Sequence, residues 1–137
     1  MAAVSTNLGR VVIGDRFIAA ASLFLRLFQN DFTPDVDTVW ADLTEADFDG
    51  YTEWVVEWSP TILDGDVAKT TAGLHTFLAT GGTTPNDIYG WALVTGVGGG
   101  GDVEIILAER FAGAPITIDA AGEHINVTVQ IQWTNAP

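Results

Sequence analysis

Cysteine is missing from the 137 residues, so no disulfide, thiolate nucleophile or cysteine-ligated zinc or iron–sulfur centre belongs to this chain. Positive charge is almost missing too. Only Arg10, Arg16, Arg26, Lys69 and Arg110 oppose 18 acids, leaving a formal charge of −13. A surface field of that sign repels phosphate backbones and anionic headgroups, so neither a nucleic-acid nor a membrane partner is expected. A long apolar run is lacking as well. The longest, "FIAAASLFLRLF" from Phe17, meets Arg26 after nine residues, far short of the ~20 that a membrane helix requires. Asp15, two residues before it, and Leu25-Arg26-Leu27 at its end do not fit a secretory signal.

What is present is apolar and aromatic. The chain is 47% hydrophobic with five Trp and seven Phe, and its mean hydropathy is positive despite the acids. Large aromatics dominate cores and interfaces alike, so some of this area is expected to face other chains as well as a core.

Glycine and proline punctuate the sequence, and short runs rich in Val, Ile, Thr, Trp, Tyr and Phe lie between them, which is an all-β pattern. "IGDRFIAAAS" is the one helical candidate, with Gly14 or Asp15 near its start. "SLFLRLFQN" reads as a strand covered on both faces. "YTEWVVEWS" alternates with a period of two and points Trp54 and Trp58 inward. Pro60 and Asp64-Gly65-Asp66 mark turns, and "GLHTFLAT" is a further strand. "IYGWALVTG" and "DVEIILAERF" flank the glycine-rich "GVGGGG", a hairpin tip rather than a phosphate loop, because the Lys and Ser/Thr of a P-loop are missing. In the closing stretch "PITIDAAGEHINVTVQIQW", Ile125, Val127, Val129, Ile131 and Trp133 alternate with polar residues as in a half-buried strand. The expected fold is an antiparallel β-sandwich, jelly-roll-like or a related barrel, of seven to eight strands with at most one short N-terminal helix. Residues 1–16 form an arm or first strand, and 17–137 one domain.

Catalytic and metal motifs are sparse. The segment from Leu27 to Tyr51 holds Asp31, Asp35, Asp37, Asp42, Glu45, Asp47 and Asp49 and no basic residue. Hard cations take oxygen ligands from such loops, yet "DFDGYTE" lacks the spaced third carboxylate and closes too early for a calcium loop. No metal, cofactor or catalytic residue is assigned. The acids are read as the solvated outer side of a connection, with "TEAD" forming a capped short turn that docks Phe48 and Tyr51. Ser5, Ser22 and Ser59 lie in no nucleophile elbow, and His75 and His124 are solitary, so both are read as structural. Arg110 in "AERF" is either one half of a structural ion pair or an exposed strand-end charge.

Four stretches, "LRLFQNDFTP", "DLTEADFDGY", "IYGWALV" and "LAERF", resemble in order and spacing a group of small structural proteins of tailed bacteriophages. That group carries L-x-L-[FY]-x-N-D-x-T-P, TEA-x-F-x-GY, [VI]YG-[YW] and AERF-like segments. The similarity spans roughly residues 23 to 133. Trp91 stands where Tyr is common, and Leu43 replaces an aromatic. The resemblance implies a non-enzymatic virion protein, foremost a capsid decoration or cement protein bound to the major capsid protein or other virion proteins and self-associating, as a trimer. A tail or fibre module, including a receptor-binding knob, shares these features. A carbohydrate-active enzyme is the remote third reading, since it needs two carboxylates converging in a cleft.

Overall fold

The computed structural model describes residues 22–81, 85–95 and 103–133. The arm at 1–16, the helix expected over "IGDRFIAAAS" and the glycine tip at 96–101 lie outside them. Among the described residues the chain is nearly all-β, with eleven strands in several antiparallel sheets and a single 3-10 turn. By contact it divides into two compact units. Of the described residues, one comprises Leu23–Val55 with the described part of Thr76–Asn126, the other Ser22, Val56–His75 and 127–133.

The first unit is organised around β1 (Leu23–Phe28), all six residues of which are buried. The unbroken apolar run foretells this, since a strand covered on both faces has no reason to alternate. Leu25, Leu27 and Phe28 are fully buried, and each such side chain contributes roughly 1.5–3 kcal/mol of transfer free energy. With β2 (Trp54–Val55), β7 (Gly90–Thr95) and β8 (Ile105–Arg110), β1 forms a sheet in the order β2-β1-β7-β8. The register pairs Leu25 with Leu93 and Phe28 with Gly90. Gly90 admits no side chain: a Cβ there would collide with the Glu109 carbonyl and the Phe28 ring. Phe24, Phe28, Leu43, Ala92 and Val94 cluster on one face of this sheet, with Phe32, Trp40 and Tyr89 packed against them.

Two smaller pairs follow: β6 (Asn86–Ile88) with β9 (Ile116–Ile118), and β5 (His75–Leu78) with β10 (His124–Val127). The single strand read over "IYGWALV" is therefore two. Ile88 pairs with Ile116 in one sheet, whereas Gly90 begins pairing with β1 and β8 in another.

In the second unit, β3 (Ile62–Asp64), β4 (Val67–Thr71) and β11 (Gln130–Trp133) form a sheet in the order β11-β4-β3. The β3–β4 hairpin turns through Gly65-Asp66, with Asp64 paired to Val67. Gly65 has φ +60 while no described non-glycine residue has positive φ, the pattern of a II′ turn that requires glycine first. Thr61 and Thr70 share a buried hydroxyl hydrogen bond of 2.6 Å. The indole N–H groups of Trp58 and Trp133 are buried without a hydrogen-bond partner among the described residues.

Three further expectations need correction. "YTEWVVEWS" holds only the two-residue β2, after which Trp58 bridges to Ala72 in the second unit; both tryptophans are half-buried rather than core. The long C-terminal strand is broken at Thr128-Val129 because β10 pairs with β5 and β11 with β4. The short turn falls at Trp40–Asp42, where the Asp42 carboxylate accepts the Val39 amide at 3.0 Å, and not at "TEAD". Glu45 instead forms a β-bridge with Phe28.

Candidate functional site

Arg26 is the one cation within β1, and only 6% of its side chain is exposed. The register of β1 and β2 pairs Leu25 with Trp54, which sets Arg26 opposite Glu53. Arg26 Nε donates to Glu53 Oε2 at 2.7 Å and lies 3.5 Å from Glu45 Oε1. Its guanidinium carbon stands 4.9 Å from the centre of the Trp40 ring, a cation–π distance. A charge so far from water persists only because it is paired on several sides.

Tyr51 closes the cluster. Its hydroxyl donates to Glu45 Oε1 at 2.9 Å and accepts the Leu27 amide at 3.1 Å. That second contact matters for the sheet. The β2 ladder ends at Trp54, and the phenol takes over the next amide that a longer β2 would have bonded. Further along, Gln29 N donates to Thr44 O and Ala46 N to Leu27 O, both within 2.9 Å. Segment 44–51 therefore completes the edge of β1 by other means, as buried backbone polar groups demand. Tyr51 stacks on Phe77 at 5.8 Å between centroids and meets Phe48 edge-on at 5.4 Å. Burial, foremost, pushes its pKa well above that of an ordinary phenol, with Glu45 adding to the shift. An open depression of about 480 Å³ lies over this cluster, lined by Arg26, Glu45, Ala46, Asp47, Tyr51, Thr52 and Glu53.

The acids of the 31–49 segment thus have separate tasks. Asp31 pairs with Arg110 at 2.7 Å. Asp35 Oδ1 accepts the Asp37 amide at 2.9 Å and the Thr38 hydroxyl at 3.0 Å, a turn-forming use of aspartate. Asp47 Oδ1 accepts the Asn86 amide at 2.8 Å, and Asn86 Oδ1 accepts the Asp47 backbone N–H at 3.1 Å. Asp49 packs against Gly81, where a Cβ would strike its carboxylate. Among the described residues no three His, Asp or Glu side chains group as metal ligands do. Glu45 is the member that sequence reasoning misplaced: it faces inward, to Arg26 and Tyr51. The available clue was an arginine inside an otherwise apolar strand, which must find an acid.

Arg110 resolves as a structural pair. Besides Asp31, its Nη1 donates to the Phe32 carbonyl at 3.1 Å, and its guanidinium carbon lies 5.1 Å from the centre of the Tyr89 ring. The contact ties the end of β8 to the loop after β1. His75 opens β5, where burial lowers its pKa, and His124 opens β10 on the exposed side. Ser22 and Ser59 are exposed; Ser5 lies outside the described residues. The Arg26 cluster has the means to hold two strand edges and three charges in place. The Tyr51 hydroxyl is engaged both as donor and as acceptor, and Arg26 Nε lies against one oxygen of each carboxylate.

Comparison of the chain with protein-family models, with curated proteins and with solved structures finds no match in any of the three.

Proposed function

We propose that this chain is a non-enzymatic structural protein of a tailed-phage virion, and specifically a decoration protein that binds the capsid surface and stabilises the head. The observation that carries the reading is the exposure of large apolar side chains on a strongly acidic molecule. Val36 is 99% exposed, Leu74 64%, Ile62 58% and Val39 55%, in a chain of net charge −13. Where such side chains adjoin, as Val36 and Val39 do on the loop after β1, they suit contact with another protein. The acidic exterior keeps closely spaced copies dissolved and turns stray nucleic acid away. The polar cluster of the chain supports the same reading, because Arg26, Glu45, Glu53 and Tyr51 bond one another and close a sheet edge. The four stretches that resemble tailed-phage structural proteins supply the virion setting. A jelly-roll-like sandwich, self-association as a trimer and contact with the major capsid protein belong to the proposal.

The test is imaging of assembled particles at a resolution that locates and counts this chain. Many copies at local symmetry axes of the head are expected. A few copies at the tail would replace decoration with the tail or fibre alternative, and particles devoid of the chain would end the virion reading altogether.

A further inference from the structure

The strand β8 ends its sheet on one side, and among the described residues only β7 pairs with it. Its backbone polarity can be assigned from Leu107 onward, beyond the register shift that leaves Ile106 without a partner opposite Leu93 and Val94. Phe111 N donates to Tyr89 O at 2.9 Å, and the register pairs Glu109 with Trp91 and Leu107 with Leu93. Main-chain groups alternate in direction along an antiparallel strand. Those of Glu109 and Leu107 therefore face β7, and those of Ala108 and Arg110 face outward.

Alongside this outer edge the loop after β1 leaves a groove of about 300 Å³, lined by Pro34, Asp35, Val36, Thr38 and Ile105 to Ala108. Its apolar walls are open: Ile106 is 46% and Leu107 36% exposed, opposite the bare Val36. Edge strands are ordinarily guarded by lysine, proline, an inward charge or a bulge; Ile105 to Ala108 has no charge and no proline, and its one irregularity, at Ile106, precedes the outward groups of Ala108 and Arg110. The charge around the groove is of one sign. Glu104 and Glu109 flank these four residues, Asp35 and Asp37 sit on the loop, all four exposed, and the nearby cation Arg110 is paired with Asp31. A second copy of the chain would bring like charge to this rim; a cationic segment would relieve it.

We propose that the open edge of β8, with the groove beside it, receives an extended segment of a partner protein as an added strand. That segment is apolar at alternate positions, to fill the Val36–Ile106–Leu107 walls, and carries lysine or arginine between them. Main-chain hydrogen bonds to Ala108 and Arg110 supply binding, and the acids select the cationic sequence. The inference rests on the reading of the protein as one that works by protein contact. Particle imaging tests that reading, whereas the edge is tested separately with peptides, so the two fail independently.

The probes are two eight-residue peptides, one alternating lysine with valine and one alternating glutamate with valine. Fluorescence anisotropy should show the lysine peptide binding at least roughly tenfold more tightly than the glutamate peptide, a preference that shrinks with added salt. Amide exchange followed by NMR should show new protection at Ala108 and Arg110. Ala108→Pro removes an outward N–H while leaving the bonds to β7, and should abolish binding. If its amide spectrum shows a lost fold, Ile106→Lys decides instead, by placing a cation in the groove and weakening the lysine peptide at least roughly tenfold. Equal binding of both peptides, or undiminished binding by the folded variant, overturns the proposal. So does concentration-dependent dimerisation that the same variant abolishes, since the occupant is then a second copy.

Discussion

Arg26 and Arg110 make the same kinds of contact in two places. Each pairs with a carboxylate at 2.7 Å and stands over an aromatic ring, Trp40 for Arg26 and Tyr89 for Arg110. They differ in water. Arg26 is 6% exposed and Glu53 23%, whereas Arg110 is 28% exposed and its partner Asp31 72%. A charge that has lost its hydration depends on its partners, and removing one leaves the other stranded. A charge that keeps its hydration loses little when its partner goes. The same contact list therefore describes a structural keystone in β1 and a surface latch at the end of β8.

The contrast can be broken most directly at Arg26. Arg26→Ala leaves Glu53 and Glu45 without the cation they share, and urea unfolding should show a loss of roughly 3–5 kcal/mol. A loss below about 1 kcal/mol, the range of an exposed pair, would erase the distinction between the two arginines. Next in size is Tyr51→Phe, which leaves the Leu27 amide without its acceptor and should cost roughly 1–3 kcal/mol. It also has a pH signature. The phenol is held protonated in the folded state above its unfolded pKa of about 10. The folded protein then retains a proton that the unfolded chain gives up, so stability declines above pH ~10, by about 1.4 kcal/mol per unit. Stability curves of the Tyr51→Phe variant should lack that component.

Arg110→Ala should cost only about 1 kcal/mol, combining a surface pair with a ring contact. Its effect should fade in 1 M salt while that of Arg26→Ala persists, because screening reaches only the exposed pair. The smallest change is expected at the β3–β4 hairpin. Asp64, itself exposed, accepts a hydrogen bond from Lys69 at 2.7 Å, which lowers the carboxyl pKa. Asp64→Asn should leave the thermal midpoint where it was.

The sequence revealed faces better than partners. The alternation from Ile125 to Trp133 persists through two strands, each odd residue less exposed than its neighbours. Side-chain period is a property of the extended backbone alone. It carries no record of which strand lies alongside, so the change from β5 to β4 as partner left no trace. The same holds at Val55-Val56, where the chain leaves β1, and at Tyr89, where it exchanges β9 for β1 and β8. The hairpin β3–β4 escaped notice for the opposite reason. All of β3 is exposed, so its residues show no period, and only Asp64-Gly65 marked a turn. At the site, Arg26 was readable as a charge in an apolar strand. That Glu53 would stand across from it required the pairing of β1 with β2, which the intervening acidic segment hides behind seven other carboxylates.

The tip at Gly65-Asp66 has a practical use. A Cβ built at Gly65 meets nothing within 4 Å, and Asp66 is exposed. Since the chain contains no cysteine, Asp66→Cys would supply its sole thiol, at a residue that belongs neither to the Arg26 cluster nor to the β8 edge. One maleimide dye per molecule, attached there, turns stoichiometry on any assembly into a measurement of fluorescence.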